Sequence, residues 1–111
     1  MNIQIYGKSK CFDTKKAERW FKERGIRFQS IDLPRVGMSA GELQNVLRAV
    51  GGVDALLDPK ARDAALVRYL ARDEDKVSRL LDDPSLIRTP VVRNGRQASC
   101  GYRPEVWSTW E

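Results

Sequence analysis

The first third of this chain most constrains its fold, because an alternating segment, a helical segment and a second alternating segment follow one another without a spacer. Residues 2–6, Asn-Ile-Gln-Ile-Tyr, alternate with period two and predict a strand burying Ile3 and Ile5. Gly7-Lys8-Ser9-Lys10 breaks that strand. From residue 12 to about 24, Ala17, Trp20 and Phe21, with Ile26 beyond, recur at helical spacing, and Gly25 supplies a stop. Residues 27–33 return to alternation, and Pro34 ends them. A strand, a helix and a strand of this length make a right-handed βαβ unit.

The middle of the chain reads as helical. Ser39-Ala40-Gly41-Glu42 is a capping box, and Leu43, Val46, Leu47 and Val50 form the apolar stripe behind it. Gly51-Gly52 stops that helix, and Val53, Leu56 and Leu57 predict a short turn of helix before Pro59. Residues 60–72 place Ala61, Ala65, Leu66, Tyr69 and Leu70 on one face, and residues 75–81 present Val77, Leu80 and Leu81. An apolar run over residues 86–92 then leads into Arg93-Asn94-Gly95-Arg96, where Asn-Gly signals a hairpin turn, with residues 97–100 as the return strand. Pro104 opens a closing helix carrying Val106, Trp107 and Trp110. No linker, repeat or low-complexity stretch interrupts residues 1–111, which are expected to form a single domain.

Composition matters mainly through what it removes. The chain has no His, so His-based acid-base catalysis and His metal ligation are excluded. Two Cys are too few for a zinc site or a disulfide framework, and no metal is expected. The formal charge of +5 is spread over the chain among acids, as on a solvated mixed face. No helix shows a one-faced basic stripe, so direct nucleic-acid binding is not expected. Nor does any apolar run approach the ~20 residues that span a bilayer. The N-terminus does not read as a signal peptide, and a cytoplasmic, bacterial-type monomer with no membrane contact is expected.

Cys11 falls between the first strand and the first helix. Free backbone N–H groups and the positive end of the helix dipole converge there. Such a position favours the thiolate, the form that attacks disulfides. Lys8, Lys10, Lys15 and Lys16 add positive potential, and Asp13 opposes it. A packed bystander thiol is the alternative, but Lys10 and Asp13 as neighbours argue for partial exposure. Thr14 lies one turn on and is either a hydrogen-bond donor to the thiolate or an ordinary first-turn Thr. The segment Cys11-Phe12-Asp13-Thr14 is therefore not a Cys-x-x-Cys dithiol. Cys100 ends the return strand, either as a packed core residue or as a resolving thiol for Cys11.

Together these residues resemble a known family. Ile3-Gln4-Ile5-Tyr6, Ser9-Lys10-Cys11, Lys15-Lys16-Ala17, Trp20-Phe21 and Gly25-Ile26 match the arsenate-reductase-like family, which includes the Spx-type regulators. So do Leu86-Ile87-Arg88-Thr89-Pro90-Val91-Val92 and Gly101-Tyr102. The resemblance implies an α/β, thioredoxin-like fold: a mixed four-stranded sheet, βαβ then ββα, with a helical insertion at about residues 39–83. It also implies a cis proline at Pro90 beside Cys11, Cys11 as nucleophile, and glutathione as electron source rather than a bound cofactor.

The departures redirect the expected chemistry. Arsenate reductases of this family carry an Arg directly before the proline, where this sequence has Thr89 with Arg88 one residue earlier. A second Arg corresponds to the segment Leu56-Leu57-Asp58, which has none. A third has Arg103 as its counterpart, or else aligns with Tyr102. Losing two guanidiniums would cost much of the binding of an oxyanion, so arsenate reduction is not expected. The expectation is a thiol oxidoreductase in which Cys11 forms a mixed disulfide with glutathione or serves a glutaredoxin-like reductant. Thr14, Lys15, Arg88, Thr89, Pro90 and Arg103 support it, and Cys100 is the candidate resolving thiol. The rival is a non-catalytic Spx-like regulator or adaptor that binds RNA polymerase or another protein.

Overall fold

Ile3 and Ile5 point from an inner strand of a four-stranded sheet. Strand β1 (Ile3–Gly7) pairs in parallel with β2 (Phe28–Asp32) and antiparallel with β3 (Val91–Asn94). Strand β4 (Gln97–Cys100) pairs antiparallel with β3 and forms the far edge, so the order is β2-β1-β3-β4. With α1 (Phe12–Glu23) crossing between β1 and β2, this is the thioredoxin-like arrangement. The computed structural model describes residues 1–110; Glu111, the last residue of the expected domain, lies outside the described residues.

The strand alternation sends side chains to two cores, one on each face. On one face Ile3, Ile5 and Val92 pack against Ala17, Trp20 and Phe21 of α1 and against Trp107 and Trp110. Trp107 lies on α7 (Pro104–Trp107), a single turn opened by the proline. Its ring meets Trp20 edge-on at 5.4 Å, and its indole N–H donates to Ser99 Oγ at 2.8 Å. On the other face Tyr6, Val91 and Cys100 pack against the helical segment between β2 and β3.

That segment contains α2 (Leu33–Val36), α3 (Ala40–Val50), α4 (Val53–Leu56), α5 (Ala64–Arg68), α6 (Asp73–Asp82) and a 3₁₀ turn at Pro84–Leu86. The Ser39–Glu42 capping box forms as expected, with both reciprocal bonds present. The helical stretch begins at Leu33, earlier than residue 39, because Pro34 falls in a first helical turn, where its missing N–H costs nothing.

Two expectations are corrected in register. The helix predicted over residues 60–72 shrinks to α5, which buries Ala64 and Val67 and leaves Leu66 and Tyr69 65% and 87% exposed. At four to five residues, one helical turn and the next offer two competing apolar stripes, and periodicity cannot choose between them. The hairpin turn also shifts by one. Asn94 still pairs with Gln97, so Gly95 and Arg96 are the central residues. Only Gly95 has positive φ, at 62°, which is the II′ pattern rather than an Asn-Gly I′ turn. Among the described residues, no helix is long and apolar enough to cross a membrane.

Candidate functional site

Strand β1 ends at Gly7 because Thr14 returns onto it. A Cβ at Gly7 would collide with the Thr14 methyl group, so only glycine lets the first turn of α1 sit this close. The link between them turns tightly, with Cys11 N donating to Lys8 O at 3.1 Å and Lys8 N to Thr14 Oγ1 at 3.5 Å. Cys11 is the N-cap of α1, extended at φ −90° and ψ 114°, and its carbonyl accepts the first helical bond from Lys15 N. Its side chain thus lies among the unpaired N–H groups of the helix start.

Partial burial pushes the Cys11 thiol up, yet hydrogen bonds outweigh that cost and its pKa lies below the ordinary value. The bonds come from the Thr14 and Thr89 side chains and from the backbone N–H groups of Thr14 and Asp13. As a thiol, Sγ donates to Thr89 O at 3.6 Å. The Thr89–Pro90 peptide is cis, as the resemblance implied. Thr14, Thr89 and Pro90 are therefore brought together with Cys11.

Cys11 opens into a cleft of about 650 Å³ whose lining includes Lys10, Phe12, Asp58, Lys60 and Arg88. Lys8 does not add free positive charge to it. Its ammonium lies 3.0 Å from Asp58 Oδ2 and 2.8 Å from Ser85 O. Burial pushes the Asp58 carboxyl up, but the Lys60 N–H and the Lys8 ammonium hold it below the usual carboxylate value. Sequence reasoning saw Lys8 and Asp58 separately and missed their pairing, because fifty positions separate them and no local signal links them. It also missed Phe12, which stands 79% exposed on the rim beside the thiol. An exposed aromatic at the first position of a helix was the available clue.

The structure does not bring every predicted residue to the thiol. Lys15 lies outside the cleft, exposed, with its ammonium 5.9 Å from the Phe12 ring centroid. Arg103 lies in the groove beside Cys100, its Nε donating to Cys100 O at 3.3 Å. Arg88 lines both the Cys11 cleft and a second groove beside Cys100. Cys100 faces the helical-insert side of the sheet, and its Sγ donates to Arg88 O at 3.5 Å. The two thiols thus bond to successive carbonyls of one segment. Burial pushes the Cys100 thiol up to about 11, against the partly compensating charges of Arg88 and Arg103. Among the described residues, no group of three or more His, Cys, Asp or Glu is placed to hold a metal.

The model of the ArsC family matches residues 6–110. The chain belongs to the ArsC family. It is 30% identical over 110 residues to the global transcriptional regulator Spx 2 of Oceanobacillus iheyensis, covering 95% of this chain and 80% of that protein. Among solved structures it is similar to a putative ArsC family related protein from Bacteroides fragilis, with a TM-score of 0.85 and 18% identity over 97% of both chains. An arsenate reductase from Vibrio cholerae gives a TM-score of 0.83 and 24% identity, over 96% of this chain and 94% of that one.

Within the ArsC frame, the cleft is less cationic than its basic residues suggest. Asp58 neutralises Lys8 instead of adding a guanidinium, and Thr89 offers a hydroxyl and a carbonyl. Lys10, Lys60 and Arg88 line the cleft around the thiol, and among the described residues none of them has a carboxylate at salt-bridge distance. The site can activate a thiol and attract an anion, but it has no cage of convergent arginines for a small oxyanion.

Proposed function

We propose that this ArsC-family protein is a monothiol oxidoreductase of the cytoplasm that uses glutathione as co-substrate. The observation that carries the reading is Cys11 itself, half-buried at a helix N-terminus, with donors from Thr14 and Thr89 that favour the thiolate. The Cys11 thiolate attacks the glutathione sulfur of a mixed disulfide. A Cys11–glutathione disulfide forms, and the substrate leaves as its thiolate. A second glutathione thiolate then attacks the glutathione sulfur of that disulfide, yielding oxidised glutathione and restoring the Cys11 thiolate. No second protein thiol is needed, in keeping with Thr14 where a dithiol would place its second Cys. The backbone before Pro90 would hold the tripeptide extended, and Lys10, Lys60 and Arg88 would attract its carboxylates.

The test is turnover of a glutathionylated peptide with glutathione and glutathione reductase. Wild type and Cys100→Ser should turn over, and Cys11→Ser should not. Unchanged turnover in Cys11→Ser would refute the reading.

The 30% identity to a protein described as a global transcriptional regulator supports a second reading, a regulatory or adaptor protein. On that reading the chain binds RNA polymerase or another protein, and Cys11 serves as a sensor or not at all. Recovery of polymerase subunits on the immobilised protein, with no thiol turnover, would decide for it.

A further inference from the structure

Strand β4 is the edge of the sheet, with no further strand beside it among the described residues. The pairing of Asn94 with Gln97 across a two-residue turn makes that pair hydrogen-bonded, so pairs alternate from there. Gly101 N donates inward to Pro90 O at 2.8 Å, which fits the alternation. The backbone groups of Ala98 and Cys100 must therefore point away from β3. Cys100 O is taken by Arg103 Nε. Among the described residues, no partner takes the Ala98 N–H, the Ala98 carbonyl or the Cys100 N–H, which leaves them to pair with another strand.

A groove of about 310 Å³ runs along this edge, and both layers of the fold wall it. Ala49, Val50 and Ala55 stand on the insert side, and Val106 of α7 on the other. A strand added beside β4 sends alternate side chains to these two walls. Arg88 and Arg103 close the Cys100 end. Arg103 has Glu105 at 3.8 Å, whereas among the described residues no carboxylate lies within salt-bridge distance of Arg88, so the described groups leave one guanidinium in excess at this end. The volume suits a few residues of chain, not a long insert.

We propose that the outer edge of β4 is a docking site for a short extended peptide segment of a partner protein, paired to Ala98 and Cys100 and carrying a carboxylate that meets Arg88 and Arg103. Main-chain pairing supplies the affinity, and the two arginines select an acidic residue or a chain end. The site shares Arg88 with the Cys11 cleft and otherwise uses residues that do not line it.

The probe is an acetylated Thr-Val-Thr-Glu peptide with a free C-terminus, titrated into the full chain and followed by amide NMR. The expected result is shifts centred on the Ala98 and Cys100 amides, with slowed hydrogen exchange at both. A Gln, C-amidated version of the peptide should bind about tenfold more weakly, and Arg103→Gln should weaken the acidic probe by a similar factor. Ala98→Pro removes an outward N–H that the ladder does not use. It should abolish binding while leaving the rate of Cys11 alkylation unchanged. If Ala98→Pro does not fold, the Arg103→Gln and amidated-peptide arms decide. No shifts at Ala98 and Cys100 with millimolar peptide would overturn the proposal. So would equal binding of the charged and uncharged peptides, or a dimer in sedimentation that Ala98→Pro dissolves without any peptide binding.

Discussion

At Cys11 the balance between burial and hydrogen bonding decides the chemistry. Burial alone would leave an inert thiol, and the donors on Thr14 and Thr89 reverse that. Thr14→Val keeps the shape and removes one donor. The thiol pKa should rise, and alkylation by iodoacetamide at pH 7 should slow about three- to tenfold. An unchanged pH profile would mean that Thr14 only packs against Gly7. Cys100 shows the opposite balance. Its folded pKa is raised to about 11, whereas the unfolded thiol ionises near 9. Below pH 9 neither state is ionised at Cys100 and stability is undiminished. As pH rises from 9 to 11 the unfolded chain loses the proton first, so stability falls, by about 2 kcal/mol. Urea midpoints across that range should therefore drop more in wild type than in Cys100→Ala. The identity and place of Cys11 were legible because every cue is local: strand end, helix start, Thr one turn on. The Lys8–Asp58 pair was not, since it exists only after the insert folds back onto β1.

At the scale of elements, the fold is legible where a sequence pattern has one solution. The twelve residues of α1 carry a single apolar face, and Ser39 with Glu42 marks the start of α3 without ambiguity. Elements too short to average over are not legible in the same way. The five residues of α5 admit either stripe, and the turn at Gly95 moved by one residue because Asn94 completes the β3–β4 ladder. The single turn of α7 is the extreme case, since so short a helix has little stability of its own. It is held by Trp107, which is 2% exposed between Trp20, Phe21 and Tyr102 and bonded to Ser99. Trp107→Ala should cost about 3–5 kcal/mol, a large share of the total stability of a small domain. Urea denaturation should show that loss, and amide exchange should show α7 opening before the sheet.

Across the whole molecule, the helical insert is stitched into the site rather than appended to the sheet. Asp58 N donates to Leu86 O at 2.8 Å, Arg88 N to Leu56 O at 2.6 Å, and Leu57 bridges Ile87. These contacts tie the loop after α4 to the segment that carries Thr89. The Lys8–Asp58 pair then ties the same loop to the end of β1, so one ion pair joins both halves of the fold beside the thiol. Asp58→Asn tests this coupling. The Lys8 ammonium would lose its counter-charge, so the Cys11 thiolate should be favoured further and alkylation near neutral pH should speed up. Stability should fall by about 1 kcal/mol or less, because the pair is partly solvated. The pH sense follows from the depressed Asp58 pKa. Its contribution is present above the unfolded value near 3.8 and is lost as pH falls through the folded value below it. Wild type and Asp58→Asn should therefore differ in urea midpoint at pH 6 and converge as pH falls through the folded Asp58 value. A faster thiol without that convergence would assign Asp58 to the electrostatics of the cleft alone, and convergence without a faster thiol would assign it to the join between insert and sheet.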